Sequence, residues 1–266
     1  MTSASPIRMD VADHVARITI DRPERMNAFD DLTHVAFSAA VDRVEADDDI
    51  WVAVITGAGD RAFSAGRDLR WTAELNAAGP EAQAASAARM AGATRLQDRF
   101  DLTKPFIARV NGHALGGGLE LALACDIIVA ADQVQLGLPE PRRGLIAGAM
   151  GVHRLPRHIP YHTAMGHLLT GRPMTPQRAY ELGLVNEVVP LDQLDAAVDA
   201  WLADILACSP IAVRATKQST VGALHLSLAD ANRYVAPWEA RRRVSDDARE
   251  GPLAFAEKRP PRWTGR

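Results

Sequence analysis

Hydrophobic positions along the chain follow two spacings, one typical of strands and one typical of helices. Residues 14–20 (HVARITI) alternate and are rich in β-branched side chains, which predicts a strand. Three continuous apolar runs of strand length predict strands buried on both faces of a sheet. These runs are residues 51–57 (WVAVITG), 105–112 (PFIARVNG) and 126–132 (DIIVAAD), and a further short strand is expected at 185–190 (VNEVVP).

Helical spacing and capping residues mark the segments between and after these strands. Residues 31–46 place an apolar face at helical intervals, made up of Leu32, Val35, Ala36, Ala39, Ala40 and Val44. The alanine-rich segment 73–98, with Gly79-Pro80 inside it, predicts a loop followed by a helix. Thr175-Pro176 begins a helix that Gly183 ends. From about residue 192 the chain is expected to be helical, with caps at Asp192 and Ser209.

Strands that alternate with helices predict an α/β fold of packed layers. The 266 residues are 47% hydrophobic and 24% charged, enough to bury a substantial core. The formal net charge of −3 argues against a general affinity for nucleic acid. No apolar run approaches the roughly 18 residues that span a bilayer, and the segment MTSASPIRMD has no apolar centre. Cys125 and Cys208 lack metal or disulfide spacing, so we expect a cytoplasmic protein without membrane segments.

The most informative pattern, a strand running through glycines into a helix, occurs twice. It appears in WVAVITGAGDRAFSAGRDL and again in PFIARVNGHALGGGLELALA. A helix start carries unpaired N–H groups and partial positive charge, and glycine lets another molecule approach the backbone. Two such junctions together can direct two N–H groups at one oxygen, as in an oxyanion hole.

The first junction also matches a dinucleotide fingerprint. Residues 57–62 (GAGDRA) fit G-x-G-x-x-G/A after a strand, but that site needs a helix opening directly at the glycines. The turn at Ala65-Gly66, with a helix expected to begin near Asp68, disfavours a dinucleotide site.

Glu120 is an acid within the apolar stretch of the second junction. It is either a structural carboxylate paired with an arginine or with glycine-turn N–H groups, or a proton carrier whose pKa is raised by burial. Glu140, after Pro139 in LPEPRRG, is a candidate second acid, and a neighbouring carboxylate would raise the pKa of one of the pair. The alternative for Glu140 is a solvated acid that offsets Arg142 and Arg143.

Several segments, taken in order, resemble the enoyl-CoA hydratase/isomerase superfamily, also called the crotonase family. They are residues 23–30 (PERMNAFD), 62–69 (AFSAGRDL), 111–126, 138–156, 170–190 and 250–261. Within the superfamily these motifs look most like carnitinyl-CoA dehydratases. The resemblance implies a spiral of ββα units over residues 1–190. It also implies a helical region, 191–266, for oligomerisation as a homotrimer or dimer of trimers and for completing the CoA site.

The resemblance also assigns roles to residues. The N–H groups of Arg67 and Gly117 would hold the thioester oxygen, Glu120 would activate water and Glu140 would serve C2. Two acids favour hydration over isomerisation, with no metal and no cofactor beyond the coenzyme A of the acyl-CoA substrate. Contacts to CoA or substrate are expected from Arg25, Ala28, Ala65, Gly66, Asp68, Leu69, Arg70, Gly116, Leu138, Pro139, Gly148, Phe255 and Lys258.

The motifs depart from the family pattern at three positions. Arg67 replaces a small residue and could project toward the ligand or cover the adenine, while Ala147 replaces a frequent proline. Met150 replaces a frequent glycine and could narrow or reshape the acyl pocket. These departures affect the acyl-chain preference more than the class of reaction.

Other functions remain open as alternatives. Isomerase or carnitinyl-CoA dehydratase activity would use the same fold. A serine hydrolase would need Ser64 as nucleophile and His113 as base. His158 and His162 are four residues apart, but Pro160 between them disfavours a metal site. A relative that binds only acyl-CoA or RNA is the third alternative, against which the two glutamates argue.

Overall fold

The computed structural model describes residues 5–266, so the first four residues of the N-terminal segment lie outside it. Its strands are β1 (Ile7–Ala12), β2 (Val15–Ile20), β3 (Val52–Gly57), β4 (Ala62–Ser64), β5 (Phe106–Val110), β6 (His113–Leu115), β7 (Ile127–Ala131), β8 (Leu136–Gly137) and β9 (Glu187–Val189). The helices of the first two thirds are α1 (Asp31–Ala46), α2 (Leu69–Ala77), α3 (Pro80–Met90), α4 (Gly117–Ala122), α5 (Gly151–His158), α6 (Tyr161–Thr170) and α7 (Pro176–Glu181). Those of the last third are α8 (Leu194–Leu206), α9 (Pro210–Ala223), α10 (Leu228–Ala231), α11 (Pro237–Val244) and α12 (Asp246–Glu257). Short 3-10 helices cover Pro23–Arg25, Leu96–Asp98, Glu140–Arg143 and Leu191–Gln193.

The strands form two sheets. A six-stranded sheet has the order β1-β2-β3-β5-β7-β9, and a three-stranded sheet has the order β4-β6-β8. All neighbours are parallel except β1 and β2. In the large sheet Ile18 lies opposite Ile55, Ile55 opposite Ala108 and Ala108 opposite Ile128, and all four are buried. These apolar strands are covered on both faces, as their continuous runs predict.

Consecutive strands alternate between the two sheets and then lead into a helix. β3, β4 and α2 form one such unit, β5, β6 and α4 a second, and β7, β8 and the 3-10 helix Glu140–Arg143 a third. Because β4, β6 and β8 are parallel, their carboxyl ends lie at one edge of the small sheet. The helix starts of all three units therefore meet at that edge.

Most predicted elements are present, with local differences. Strand β1 was not predicted; it precedes a tight turn at Asp13 and His14, both with positive φ. Helix α1 has the predicted bounds, and Ala40 and Val44 are buried as predicted, but the rest of its buried face differs. Its core residues include Phe37 and Val41, whereas Leu32 is 60% exposed. The apolar pattern of α1 is ambiguous because small alanines occur on both sides.

Other predicted segments differ in their caps and breaks. Residues 69–77, expected partly as loop, form α2, whose N-cap Asp68 accepts a hydrogen bond from the N–H of Trp71. Thr175 and Ser209 cap α7 and α9 as predicted. Asp192 makes no cap; it lies within the 3-10 helix Leu191–Gln193, and α8 begins after it.

Strand β4 occupies Ala62–Ser64, where a dinucleotide site would need a helix.

Within residues 5–266 no single helix is long and apolar enough to cross a membrane. One pair, Leu191–Leu206 and Pro210–Ala223, matches a span in length and composition but is bent by 99°.

The C-terminal helices extend the core instead of standing apart from it. Helix α8 packs on β5 and β7, α9 packs on α8 and α11, and α12 packs on α11. The division at residue 190 therefore remains a prediction.

Candidate active site

A cavity of about 930 Å³ opens at the edge where the three units meet. Four regions line it: the loop before α1, the loop from Ala65 into α2, the segment from Met90 to Asp98, and the start of α4 with the loop after Glu140. Both strand–glycine–helix junctions of the sequence therefore face one space.

Two backbone N–H groups lie side by side at this cavity. Gly66 has a φ of +78°, and a Cβ added there would lie 2.4 Å from the amide nitrogen of Gly117. A Cβ on Gly117 would in turn be 3.6 Å from the amide nitrogen of Arg67. Within residues 5–266, neither the Arg67 nor the Gly117 N–H group donates to an acceptor. The pair is available to a negatively charged oxygen.

Buried side chains hold the first of these two N–H groups in place. The Ser64 hydroxyl donates to the carbonyl of Asn27 over 2.8 Å and accepts a hydrogen bond from the N–H of Gly66. Asn27 has a φ of +53° and donates through Nδ2 to the Ala62 carbonyl over 2.6 Å. Sequence reasoning missed Asn27. The one feature that could have indicated Asn27 is that asparagine tolerates positive φ and that this residue lies in a polar turn.

The serine hydrolase alternative does not fit this arrangement. Ser64 is fully buried, and its hydroxyl is used by Asn27 and Gly66. Nδ1 of His113 accepts a hydrogen bond from the N–H of Gln135 over 3.0 Å. Ser64 and His113 make no hydrogen bond in the described part of the chain.

Glu120 lies on α4 and is 3% exposed. Its Oε1 accepts a hydrogen bond of 2.9 Å from the N–H of Gly151, the first residue of α5. The pKa of this carboxyl is raised to about 7, mainly by burial and also by the charge of Glu140, while backbone hydrogen bonds from Gly151 and Ala149 oppose the rise. Glu120 is thus set to exchange a proton near neutral pH.

Glu140 begins the 3-10 helix after β8 and lines the same cavity. Its Oε2 is buried and has no hydrogen-bond partner among the described residues. Burial raises the pKa of this carboxyl, against which the positive charge of Arg143 acts. A Cβ on Gly116 would come within 3.0 Å of Oε1, so the glycine leaves room for the acid.

The cavity brings together most of the other residues expected to contact CoA or substrate. These are Arg25, Ala28, Ala65, Gly66, Asp68, Leu69, Arg70, Gly116, Pro139 and Gly148. Leu138 is 1% exposed in the core and is not part of the lining. Phe255, 87% exposed on α12, and Lys258, the C-cap of that helix, also lie outside it.

The arginines near the cavity mouth have different partners. Arg22 pairs with Asp30 at 2.9 Å and with Asp68 at 3.2 Å, and Arg61 donates to the Pro23 carbonyl. Both side chains therefore hold the loop before α1 in place.

The long side chain at position 67 lies along the first turn of α2. Its Nε donates to Thr72 Oγ1 over 2.9 Å, and the guanidinium is 5.7 Å from the ring centroid of Trp71. Arg67 and Trp71 both line the cavity.

Met150 does not narrow the cavity, contrary to expectation. It is absent from the lining and has a φ of +75°, the left-handed conformation that glycine favours. Ala147 is buried in the core.

The histidine pair does not form a metal site. His158 ends α5 and His162 lies on α6, on different helices. The structure shows no group of three His, Cys, Asp or Glu residues suited to a metal ion within residues 5–266. Cys125 and Cys208 are free.

Comparison with known proteins identifies the same fold and the same family that the sequence motifs resemble. The family model for enoyl-CoA hydratase/isomerase matches residues 10–266. A carnitinyl-CoA dehydratase of Salmonella arizonae is 42% identical over 94% of this chain and 95% of its own. An (E)-benzylidenesuccinyl-CoA hydratase of Thauera aromatica is 35% identical over 98% and 99%, respectively.

Solved structures agree. The enoyl-CoA hydratase EchA1 of Mycobacterium marinum superimposes with a TM-score of 0.86 at 37% identity, covering 98% of this chain and 100% of the other. An enoyl-CoA hydratase of Bacillus anthracis superimposes with a TM-score of 0.87 at 33% sequence identity, and the coverage of both chains is the same. The α/β crotonase-like fold is confirmed, and the chain belongs to the enoyl-CoA hydratase/isomerase family.

Proposed function

We propose that the protein catalyses the reversible syn addition of water across the 2,3 double bond of an enoyl-CoA thioester. One observation carries this proposal. Two carboxyls with raised pKa values, Glu120 and Glu140, line the same cavity as the two free N–H groups of Arg67 and Gly117. That is the set of groups required when an acid and a base act beside a developing enolate.

The reaction follows from the charges that develop. Ionised Glu120 takes a proton from water, the water oxygen bonds to C3, and the electron pair of the double bond moves toward the thioester oxygen. The two N–H groups stabilise that oxygen, and loss of one such donor costs about 3 kcal/mol of barrier. Protonated Glu140 then delivers its proton to C2. The reverse sequence dehydrates a 3-hydroxyacyl thioester.

Coenzyme A enters as part of the substrate. Arg25 and Arg70 have no side-chain partner among the described residues, so their guanidinium groups can meet phosphates. The Ala65 carbonyl accepts no hydrogen bond from the described residues and could take one from the adenine amino group. We propose no metal or redox cofactor, because this chemistry needs neither.

Self-association completes the proposal. Phe255 and Lys258 lie outside their own cavity, so they would reach CoA across a subunit boundary in a homotrimer or dimer of trimers. Exposed apolar side chains on the C-terminal helices, among them Leu224, Leu228 and Val244, suit such contacts.

Dehydration of a carnitinyl-CoA substrate is a second candidate, since relatives that carry this name are 38–43% identical. It would use the same residues and differ only in the acyl group.

The test is a panel of enoyl-CoA thioesters, followed by the loss of absorbance of the conjugated double bond. We expect Glu120→Gln and Glu140→Gln each to lower kcat by about 10²- to 10⁴-fold while the circular dichroism spectrum is retained. Glu74→Gln, at an exposed acid on α2, is the control and should match the wild type. A double variant that hydrates as fast as the wild type would refute the proposal, and migration of the double bond without hydration would identify an isomerase.

A further inference from the structure

Most acidic side chains that line the cavity already have a partner within the protein or a role in the proposed reaction. Every aspartate of the lining has an arginine partner: Asp30 and Asp68 pair with Arg22, Asp31 with Arg89 and Asp98 with Arg95. Glu120 and Glu140 are the proposed acid and base. Glu24, the remaining acid, lies in the 3-10 helix beside Arg25, in the segment proposed for coenzyme A.

Arg143 has a different environment. It lines the cavity on the same 3-10 helix as Glu140 and is exposed. Within residues 5–266 its side chain makes no ion pair, hydrogen bond or stacking contact. Its positive charge opposes the rise in the pKa of Glu140 that burial causes, so the guanidinium and this acid influence each other within one cavity.

Two exposed apolar side chains lie close to this cation in the sequence. Leu145 and Ile146, 50% and 70% exposed, follow Arg143 and line the same cavity. A ligand that covers them would exclude water around the guanidinium, which strengthens its attraction for an anion. Arg95 also lines the cavity; its Nε donates to Asp98, and its positive charge acts on Glu120 and on His34. Each of the two glutamates therefore experiences the positive charge of an arginine that lines the cavity.

We propose that the acyl group accepted by this site carries a carboxylate at C4 or beyond, and that Arg143 binds it. This inference rests on the proposed hydration of enoyl-CoA thioesters. A planar guanidinium can bind a carboxylate through two parallel hydrogen bonds. A trimethylammonium group at the same place would meet an unpaired arginine and no unpaired aspartate.

Three matched substrates test the proposal: 2-enoyl-CoA thioesters whose C4 carries a carboxylate, a methyl group or a trimethylammonium group. We expect kcat/KM to be about 10-fold or more higher for the carboxylate than for the methyl compound, and lowest for the cation. Preference for the methyl or the trimethylammonium compound would overturn the inference.

Two neighbouring arginines provide a matched pair of variants. In Arg143→Gln the ratio of kcat/KM for carboxylate over methyl should fall by about 10-fold, and Arg143→Lys should recover part of it. Arg142→Gln should keep the wild-type ratio, because the Arg142 side chain donates to the Thr170 carbonyl and does not line the cavity. Each variant is measured at its own pH optimum, since the charge of Arg143 also affects Glu140.

The outcomes separate this inference from the function on which it rests. If the methyl compound is hydrated but the ratio is unchanged in Arg143→Gln, the carboxylate assignment is wrong and hydration stands. If none of the three compounds is hydrated, the proposed function fails and the inference fails with it.

Discussion

The N–H of Gly151 donates a 2.9 Å hydrogen bond to Oε1 of Glu120. This contact joins the first residue of α5 to an acid on α4 whose closest sequence neighbours are apolar. It stabilises the ionised carboxylate, while burial and the charge of Glu140 favour the protonated form. Because these influences oppose each other, the pKa lies near neutrality.

The burial of Glu120 makes folding stability depend on pH. The pKa of its carboxyl is 4.5 without the fold and about 7 within it, so the folded state holds a proton that the unfolded state releases between these values. Stability is lost as the pH rises through that window. We expect Glu120→Gln to unfold like the wild type at pH 4.5 and to be more stable at pH 8, by at most about 3 kcal/mol.

Urea denaturation at the two pH values measures this difference. The difference in stability between Glu74→Gln, at an exposed acid, and the wild type should be the same at both pH values. A Glu120→Gln variant that is no more stable than the wild type at pH 8 would contradict the burial argument.

Coupling between the two acids should be visible in titration. The charge of Glu140 is one of the causes that raise the pKa of Glu120, so Glu140→Gln should shift the titration of Glu120 to lower pH. Carboxyl ¹³C chemical shifts of glutamate-labelled protein report this directly. An unchanged Glu120 titration in the variant would mean that the two carboxyls do not sense each other.

The sequence predicted the parts of the site that depend on local chemistry. The two strand–glycine–helix junctions predicted that N–H groups from both could face one space, and both junctions line the cavity. The choice of Arg67 and Gly117 came from the family resemblance and stays a prediction. Glu120 was conspicuous because an acid is rare in an apolar run. The partners that hold the site could not be predicted, because they come from distant segments. Asn27 contacts Ser64 across 37 positions of sequence, and Gly151 reaches Glu120 from a helix that begins 31 positions later. The free side chain of Arg143 was also invisible, since Arg142 beside it looks the same in sequence.

A buried lysine away from the site should also influence stability. Lys104 is 1% exposed, and its Nζ donates to the carbonyls of Val44 and Asp47 at the end of α1. We expect Lys104→Met to lower the free energy of unfolding at pH 7 by about 1–3 kcal/mol, since it leaves buried acceptors without donors.

The same lysine has a pKa lowered from 10.5 to about 8, mainly by burial. Between these values the unfolded chain keeps a proton that the folded chain has released, so the contribution of Lys104 to stability rises with pH. The difference between wild type and Lys104→Met, measured by urea denaturation, should therefore be larger at pH 10 than at pH 7. A difference that shrinks over this range would contradict the assigned burial.

The two N–H groups of the proposed oxyanion hole depend on one glycine. A methyl group on Gly66 would lie 2.4 Å from the amide nitrogen of Gly117, and its φ of +78° is unfavourable for alanine. Gly66→Ala must therefore move one N–H group away from the other. We expect the rate of hydration to fall by about 10²- to 10³-fold, the effect of losing one donor.

Gly79→Ala is the matched control, because Gly79 has a φ of +86° but nothing within 4 Å of the added methyl group. It should lose about 1 kcal/mol of stability and keep its activity. The deciding measurement is the hydration rate of Gly66→Ala, compared at equal loss of stability in the two variants. If that rate equals the wild-type rate, the paired N–H groups do not act on the substrate.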